Sequence, residues 1–414
     1  MNKKLHETKP KLKDYEPIIG RCAIEELKIL AEKLSNKTIQ NINSTYIGGG
    51  VAEILARMVP FMNELGINAK WSVIKGDNQF FNITKKFHNA LHGKKEEFRD
   101  NEFEYFLEVN KKNTEAFDFS GDILFIHDPQ PVALVQKRKE VGEKWIWRCH
   151  IDISNPDEKI WNFIQNYVEQ YDAAVFSAPN FAKMLKIRMF LIYPSIDPLS
   201  NKNKELSEQQ INSVLDRYGI DKKKPIILQV SRFDYLKDPI GVIKAFEMVR
   251  KTIPSQLILA GGTATDDPES DKVLQEVKEV ADKNPDIHVL LLSPDSDIEI
   301  NALQRAASVV VQKSIKEGFG LTVTEALWKG KPVVASAVGG ILLQVKDKIT
   351  GMFCHSIEGA AYAIKTLLTN KEFAQWLGKN GHAHVKQNFL ITRHLKDYLL
   401  LFLSQYHREE LIYL

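Results

Sequence analysis

The sequence predicts an α/β chain made of two doubly wound domains, and three observations lead there. Short apolar, β-branched runs alternate with amphipathic helical segments. The length of 414 residues suits two domains. One polar stretch with two prolines, YPSIDPLSNKNKELSEQQ from Tyr193, interrupts the alternation and reads as a linker.

In chain order, ILFIHDP (123–129), AAVFSAP (173–179), PIILQVS (225–231), QLILAGG (256–262), IHVLLLS (287–293), SVVVQKS (308–314) and PVVASAV (332–338) read as buried parallel strands. WIWRCHID, from Trp145 to Asp152, reads as a further strand end. GVIKAFEMVRKTI, LTVTEALWKG and EGAAYAIKTLLT read as helices between strands. The linker divides the chain into residues 1–198 and 199–385. The helical pattern TRHLKDYLLLFLSQY lies in 386–414, which is expected to return to the first domain.

Composition narrows the function. Apolar residues at 44% and charged residues at 26% fit a globular chain with a sizeable core. A net charge of +3 argues against a dedicated nucleic-acid binder. No run approaches the roughly 20 apolar residues of a membrane span, and the charged start MNKKLHETKPKLKDYE lacks an apolar signal core. Cys22, Cys149 and Cys354 are scattered and odd in number, so the expectation is reduced thiols in the cytoplasm. There is no GxGxxG and no GxxxxGK[ST], which counts against a dinucleotide oxidoreductase and a P-loop NTPase.

In open parallel sheets, ligands bind beyond the carboxyl ends of strands. KEGFGLTVTEALWKGKPVV follows one such end and places Glu317 and Glu325 eight positions apart. Eight helical steps span about 12 Å, whereas a retaining glycosidase holds its carboxyls roughly 5 Å apart. The spacing therefore suits two ends of one extended ligand, such as two sugars flanking phosphates. Carboxylates accept from vicinal hydroxyls. Gly318 and Gly320 permit close backbone approach, and the helix start offers unpaired N–H groups. QVSRFDYLKDP supplies Arg232 and Lys237 beyond another strand end, two cations suited to a diphosphate. The alternative is solvated surface charges, with Asp234 and Asp238 as partners.

In the first domain, HDPQP and WIWRCHID bring His127, Asp128, Gln130, Trp147, Arg148, His150 and Asp152 to two strand ends. Polar groups beside an indole suit a sugar; helix capping is the alternative. Asp295-Ser296-Asp297 matches a DxD metal signature but sits in a turn before a helix and reads as an N-terminal cap. With Arg232 and Lys237 present, no metal or other cofactor is required; Mg2+ is compatible but not implied.

SRFDYLKDP followed by KEGFGLTVTEALWKG resembles the donor site of retaining GT-B glycosyltransferases, with their Arg-x4-Lys and Glu-x7-Glu pairs. GGGVAEIL, HDPQP, WIWRCHID, QVSRFD and NALQRAA extend the likeness to the trehalose glycosyltransferring synthases, over about residues 45 to 400. The resemblance implies a GT-B fold, two Rossmann-like domains facing across a cleft. It implies a reversible, retaining glucosyltransferase making trehalose from a nucleoside-diphosphate glucose (UDP-, ADP- or GDP-glucose) and free glucose.

By the same resemblance Arg232 and Lys237 hold the diphosphate and Glu325 the ribose. Glu317 holds the transferred glucose, with the backbone of Gly318, Phe319, Gly320, Leu321 and Thr322 around it. His150 contacts the glucose near its reacting face, and Gly48, Gly49 and Gly50 line the cleft. Tyr193, Tyr235 and Lys348 depart from the family pattern without removing a charged donor-site residue. Open alternatives are a trehalose phosphorylase, a retaining transferase with another acceptor, and a non-catalytic nucleotide-sugar sensor. Neither nucleic acid nor membrane is an expected partner, and a homodimer is left open.

Overall fold

A computed structural model describes residues 10–46, 50–262 and 268–407. Contacts divide the chain into Met1–Tyr193 with Thr392–Leu414, and Pro194–Ile391. The sequence had suggested divisions at 198/199 and 385/386.

The first unit is built on six parallel strands: β1 (Thr38–Asn43), β2 (Asn68–Val73), β3 (Ile123–His127), β4 (Lys144–Arg148), β5 (Ala173–Phe176) and β6 (Arg188–Leu191), in the order β2-β1-β3-β4-β5-β6. Apolar side chains on both faces explain the central strands. Ile123 to Ile126 and Trp145 to Trp147 are fully buried. Phe80, Phe87 and Phe106 from two helices pack in the same core as Trp145 and Trp147. The helix Ile391–Leu403 lies on this sheet, with the rings of Tyr398 and Phe402 5.0 and 5.4 Å from Phe125.

The second unit repeats the architecture with β7 (Ile226–Val230), β8 (Gln256–Gly261), β9 (Ile287–Leu291), β10 (Val309–Gln312), β11 (Val333–Ser336) and β12 (Met352–Cys354), again all parallel, in the order β12-β11-β10-β7-β8-β9. Val242, Phe246 and Val249 of the helix Pro239–Arg250 pack in one core with Leu257, Val309 and Val334. The chain is thus α/β with two doubly wound parallel sheets.

Each sheet has one place where the strand order reverses. In the first unit it lies between β1 and β3, paired with Ile42 opposite Ile126. In the second it lies between β7 and β10, with Val310 opposite Leu228. Helices on either side diverge there and leave a crevice at the strands' carboxyl ends.

Among the described residues, no helix is long and apolar enough to cross a membrane.

Candidate functional site

The reversal point of the second sheet gathers the charged motifs. After β7 the chain makes a short turn, Tyr235–Lys237, fixed by Asp234, whose carboxylate accepts from the Leu236 N–H at 2.6 Å. Asp238 then enters the left-handed region (φ 48°) and caps the helix Pro239–Arg250 through Gly241 N–H at 3.0 Å. Lys313, at the end of β10, pairs with Asp238. Two caps in five residues therefore set where Lys237 stands. Gln229 adds a clamp, its Nε2 donating to the Lys237 carbonyl at 2.7 Å.

Lys237 Nζ meets Glu317 Oε1 at 2.8 Å, with the two side chains only 16% and 9% exposed. The other carboxylate oxygen, Oε2, accepts from Ser314 Oγ at 3.0 Å and Gln312 Nε2 at 3.3 Å. The loop after β10 is pressed against the loop after β11. A Cβ on Gly339 would stand 1.8 Å from the Glu317 carbonyl, and Gly340 N–H donates to Gly318 O at 2.6 Å. Gly320 (φ 81°) then opens the helix Leu321–Trp328 with no side-chain cap, so its first N–H groups have no side-chain acceptor from that position. Phe319 packs on Phe389 with ring centroids 5.7 Å apart.

Glu325 sits inside that helix, 6% exposed, its carboxyl pushed above the ordinary range by burial. One turn on, Lys329 donates to Asn203 Oδ1 at 2.9 Å, and burial pushes its ammonium down to about 7. Arg232 is the exposed member of the set, at 61%, with Asp234 3.6 Å away. The structure thus joins Lys237 to Glu317 directly, sets Arg232, Gly318, Phe319 and Gly320 on the same loops, and puts Leu321 and Thr322 in the first turn of the helix that follows. Glu325 stands apart beside Lys329. Asp297 of the DxD sequence starts the helix Asp297–Ala306 and pairs with Lys202 at 3.4 Å.

The reversal point of the first sheet gathers polar groups. His127 ends β3, with Nδ1 3.1 Å from His150 Nε2 and Nε2 3.3 Å from Asn41 Oδ1. Burial, with Arg148 nearby, pushes the His127 imidazole down to about 3 and that of His150 well below its usual value. Both rings are therefore neutral near pH 7. Asp128 (φ 65°) accepts from His150 N–H at 2.8 Å, and burial pushes its carboxyl up to about 6. Gln130 Oε1 is buried with no hydrogen-bond partner among the described residues. Gly50 opens the helix Gly50–Glu64, while Gly48 and Gly49 lie outside the described residues.

Trp147 and Arg148 close β4 and are fully buried, with Arg148 opposite His127 at the strand ends. Trp147 Nε1 donates to Asp128 O at 3.0 Å, and Arg148 Nη2 donates to Ile192 O at 2.7 Å and Ser177 Oγ at 3.2 Å. Asp152, 6% exposed, shapes a turn by accepting from Ser154 N–H at 2.9 Å. An aromatic pair does stand at this end of the sheet: Tyr46, 55% exposed, meets Trp71 edge-on at 5.0 Å. Asn41, Asn43, Gln312 and Ser314 also belong to these two clusters and were not expected there from sequence. For Gln312 and Ser314 the available signal was polar residues ending a run that otherwise reads as strand; Asn41 and Asn43 lie in TIQNIN, which gives no such signal.

Residues 41–183 match the family described as trehalose synthase, N-terminal domain, and residues 211–384 match glycosyl transferases group 1. The trehalose synthase of Thermococcus litoralis is 46% identical over 94% of this chain and 96% of its own length. The trehalose phosphorylase of Grifola frondosa is 29% identical over 90% of this chain and 58% of its own. Among solved structures, the sucrose-phosphate synthase of Thermosynechococcus elongatus superposes with a TM-score of 0.68 at 18% identity, over 90% of this chain and 100% of that one. That likeness concerns the fold.

Proposed function

The chain belongs to the trehalose synthase family, and from that premise we propose that it makes trehalose by moving glucose from a nucleoside diphosphate to free glucose. Transfer is reversible and retains the anomeric configuration. The observation that carries this reading is the Lys237–Glu317 pair at the reversal point of the second sheet. It puts a cation and a carboxylate side by side at an uncapped helix start, which suits a sugar bonded to a diphosphate.

In this reading Arg232 and Lys237 neutralise the diphosphate, and no metal or other cofactor is needed beyond them. The Glu317 carboxylate accepts from hydroxyls of the transferred glucose, with the amides around Phe319, Gly320 and Leu321 close by. Glu325 accepts from the ribose. The acceptor glucose is assigned to the first unit, with His150 among its contacts. As the bond from the anomeric carbon to phosphate oxygen breaks, the acceptor oxygen bonds to the same face of that carbon. The departing phosphate takes the acceptor proton. Reduced Cys22, Cys149 and Cys354 are in keeping with a cytoplasmic location.

The test is product analysis. The protein is mixed with glucose and, in separate reactions, UDP-, ADP- and GDP-glucose without added metal. Trehalose with the matching nucleoside diphosphate is expected; no disaccharide from any donor overturns the reading. The relationship to a phosphorylase supports one second reading, in which inorganic phosphate occupies the diphosphate position. Phosphate-dependent cleavage of trehalose to glucose 1-phosphate, without nucleotide turnover, would favour it.

A further inference from the structure

We propose that Asn41 fixes the tautomers of the His127–His150 pair, leaving His150 Nδ1 as a bare lone pair that accepts from a substrate hydroxyl. Asn41 and His127 are then positioning residues. The hydroxyl assignment rests on the proposed role of His150 as an acceptor-glucose contact; the tautomer assignment does not.

The donors along this chain of bonds fix each hydrogen in turn. Asn41 lies within β1 and is 1% exposed. Its Nδ2 donates to the Lys70 carbonyl at 3.3 Å, so the amide is oriented with Oδ1 toward His127. An amide oxygen only accepts, so His127 Nε2 must carry the hydrogen. A neutral imidazole has one N–H, so His127 Nδ1 is an acceptor. The 3.1 Å contact between that atom and His150 Nε2 then needs a hydrogen on His150 Nε2. A neutral His150 is left with an unprotonated Nδ1, which makes no hydrogen bond among the described residues.

The surroundings hold this order in place. His127 is 1% exposed, so water does not compete for its ring nitrogens. Asp128 grips the His150 backbone at 2.8 Å while His127 holds the ring, which restricts both ends of the residue. Burial keeps the pair neutral, and the nearby Arg148 guanidinium further disfavours a second cation. A charged imidazolium would donate from both nitrogens; the fixed neutral form offers an acceptor suited to a hydroxyl O–H. A second-layer residue setting which nitrogen bears the hydrogen is a general way of fixing a histidine's role.

The experiment uses the full chain labelled with 15N-histidine. Long-range proton–nitrogen correlation spectra at pH 7.5 identify the tautomer, with His150→Gln and His127→Gln used for assignment. In the unmodified protein both rings are expected as the Nε2–H form. Asn41→Leu removes the lock and should move the His127 and His150 signals toward the Nδ1–H form. With donor and glucose present, turnover should fall about tenfold at little cost in donor KM. Asn41→Asp keeps an acceptor and should restore the Nε2–H form. An Nδ1–H His150 in the unmodified protein overturns the proposal, as does an Asn41→Leu protein with unchanged tautomers. Confirmed tautomers with no transfer to glucose would count against the proposed function and remove the hydroxyl assignment, while the Asn41 lock would stand.

Discussion

At the scale of single residues, the pair with the largest consequence is Lys237 and Glu317. Each is too enclosed to be solvated as a lone charge, yet Glu317 is held from two sides, by Lys237 on Oε1 and by Ser314 and Gln312 on Oε2. Removing one partner of an enclosed pair leaves an uncompensated charge, which costs about 3 kcal/mol. Lys237→Met should therefore lower the unfolding free energy by about that amount and abolish transfer. Glu317→Gln added to Lys237→Met removes the stranded charge and should recover most of the stability with no recovery of activity. Chemical denaturation of the two variants measures both effects. Equal stability of Lys237→Met and the unmodified protein would mean that the pair is solvated. The charges of this pair were legible in the sequence because each stands just past an apolar strand. Their direct contact was not, since 80 residues separate them and sequence spacing carries no information about which strand ends become neighbours.

At the scale of elements, the loops after β10 and β11 act as one unit. Gly339 (φ 53°) packs directly against the Glu317 carbonyl, so the second loop determines where the first can lie. Gly339→Ala forces a Cβ to within 1.8 Å of that backbone oxygen unless the loops separate. Displacing a substrate-positioning group by about 1 Å costs about a hundredfold in rate. Gly339→Ala should lower kcat/KM by that order; a change below threefold would show that the loops move apart without disturbing Glu317. Elsewhere the strands were unevenly legible. The apolar runs at β3, β5, β7, β8, β9, β10 and β11 announce themselves. TIQNIN does not, because β1 carries Gln40, Asn41 and Asn43 into the interior, where side-chain hydrogen bonds satisfy them. NAKWSV, RMFL and MFC escaped for other reasons: β2, β6 and β12 are edge strands, and the last two are only four and three residues long. Lys348 occupies a left-handed turn position (φ 57°) where the resemblance led us to expect glycine, a departure absorbed by its N–H bond to Gly351 O at 2.7 Å.

At the scale of the whole chain, alternation and length were enough to read two doubly wound sheets, because a parallel sheet covered by helices needs apolar strands spaced by helical segments. Burial of specific polar groups was not readable, and it controls how stability responds to acid. Burial pushes His88 down to about 4, His127 to about 3, and His150 and His394 well below their ordinary value. An unfolded chain protonates these four groups as pH falls through about 6.5, whereas the native chain does not until lower pH. The unfolded state thus binds more protons, and stability falls as pH falls, by about 1.4 kcal/mol per pH unit for each histidine once the window is fully entered. Asp128, raised to about 6, and Glu325, also raised, act in the opposite sense: their native forms hold a proton that the unfolded chain has lost, so their contribution is lost as pH rises. His288 and His384 are also lowered, chiefly by burial, so six histidines stand against two carboxyls; the histidine sign dominates, and the unfolding midpoint should drop between pH 7 and pH 5. His88 lies on the helix Asn78–Leu91, far along the chain from the His127–His150 pair, and is the cleanest probe. His88→Gln should shrink the drop without altering the histidine tautomers; a midpoint that rises toward pH 5 would mean that the buried carboxyls outweigh the buried imidazoles.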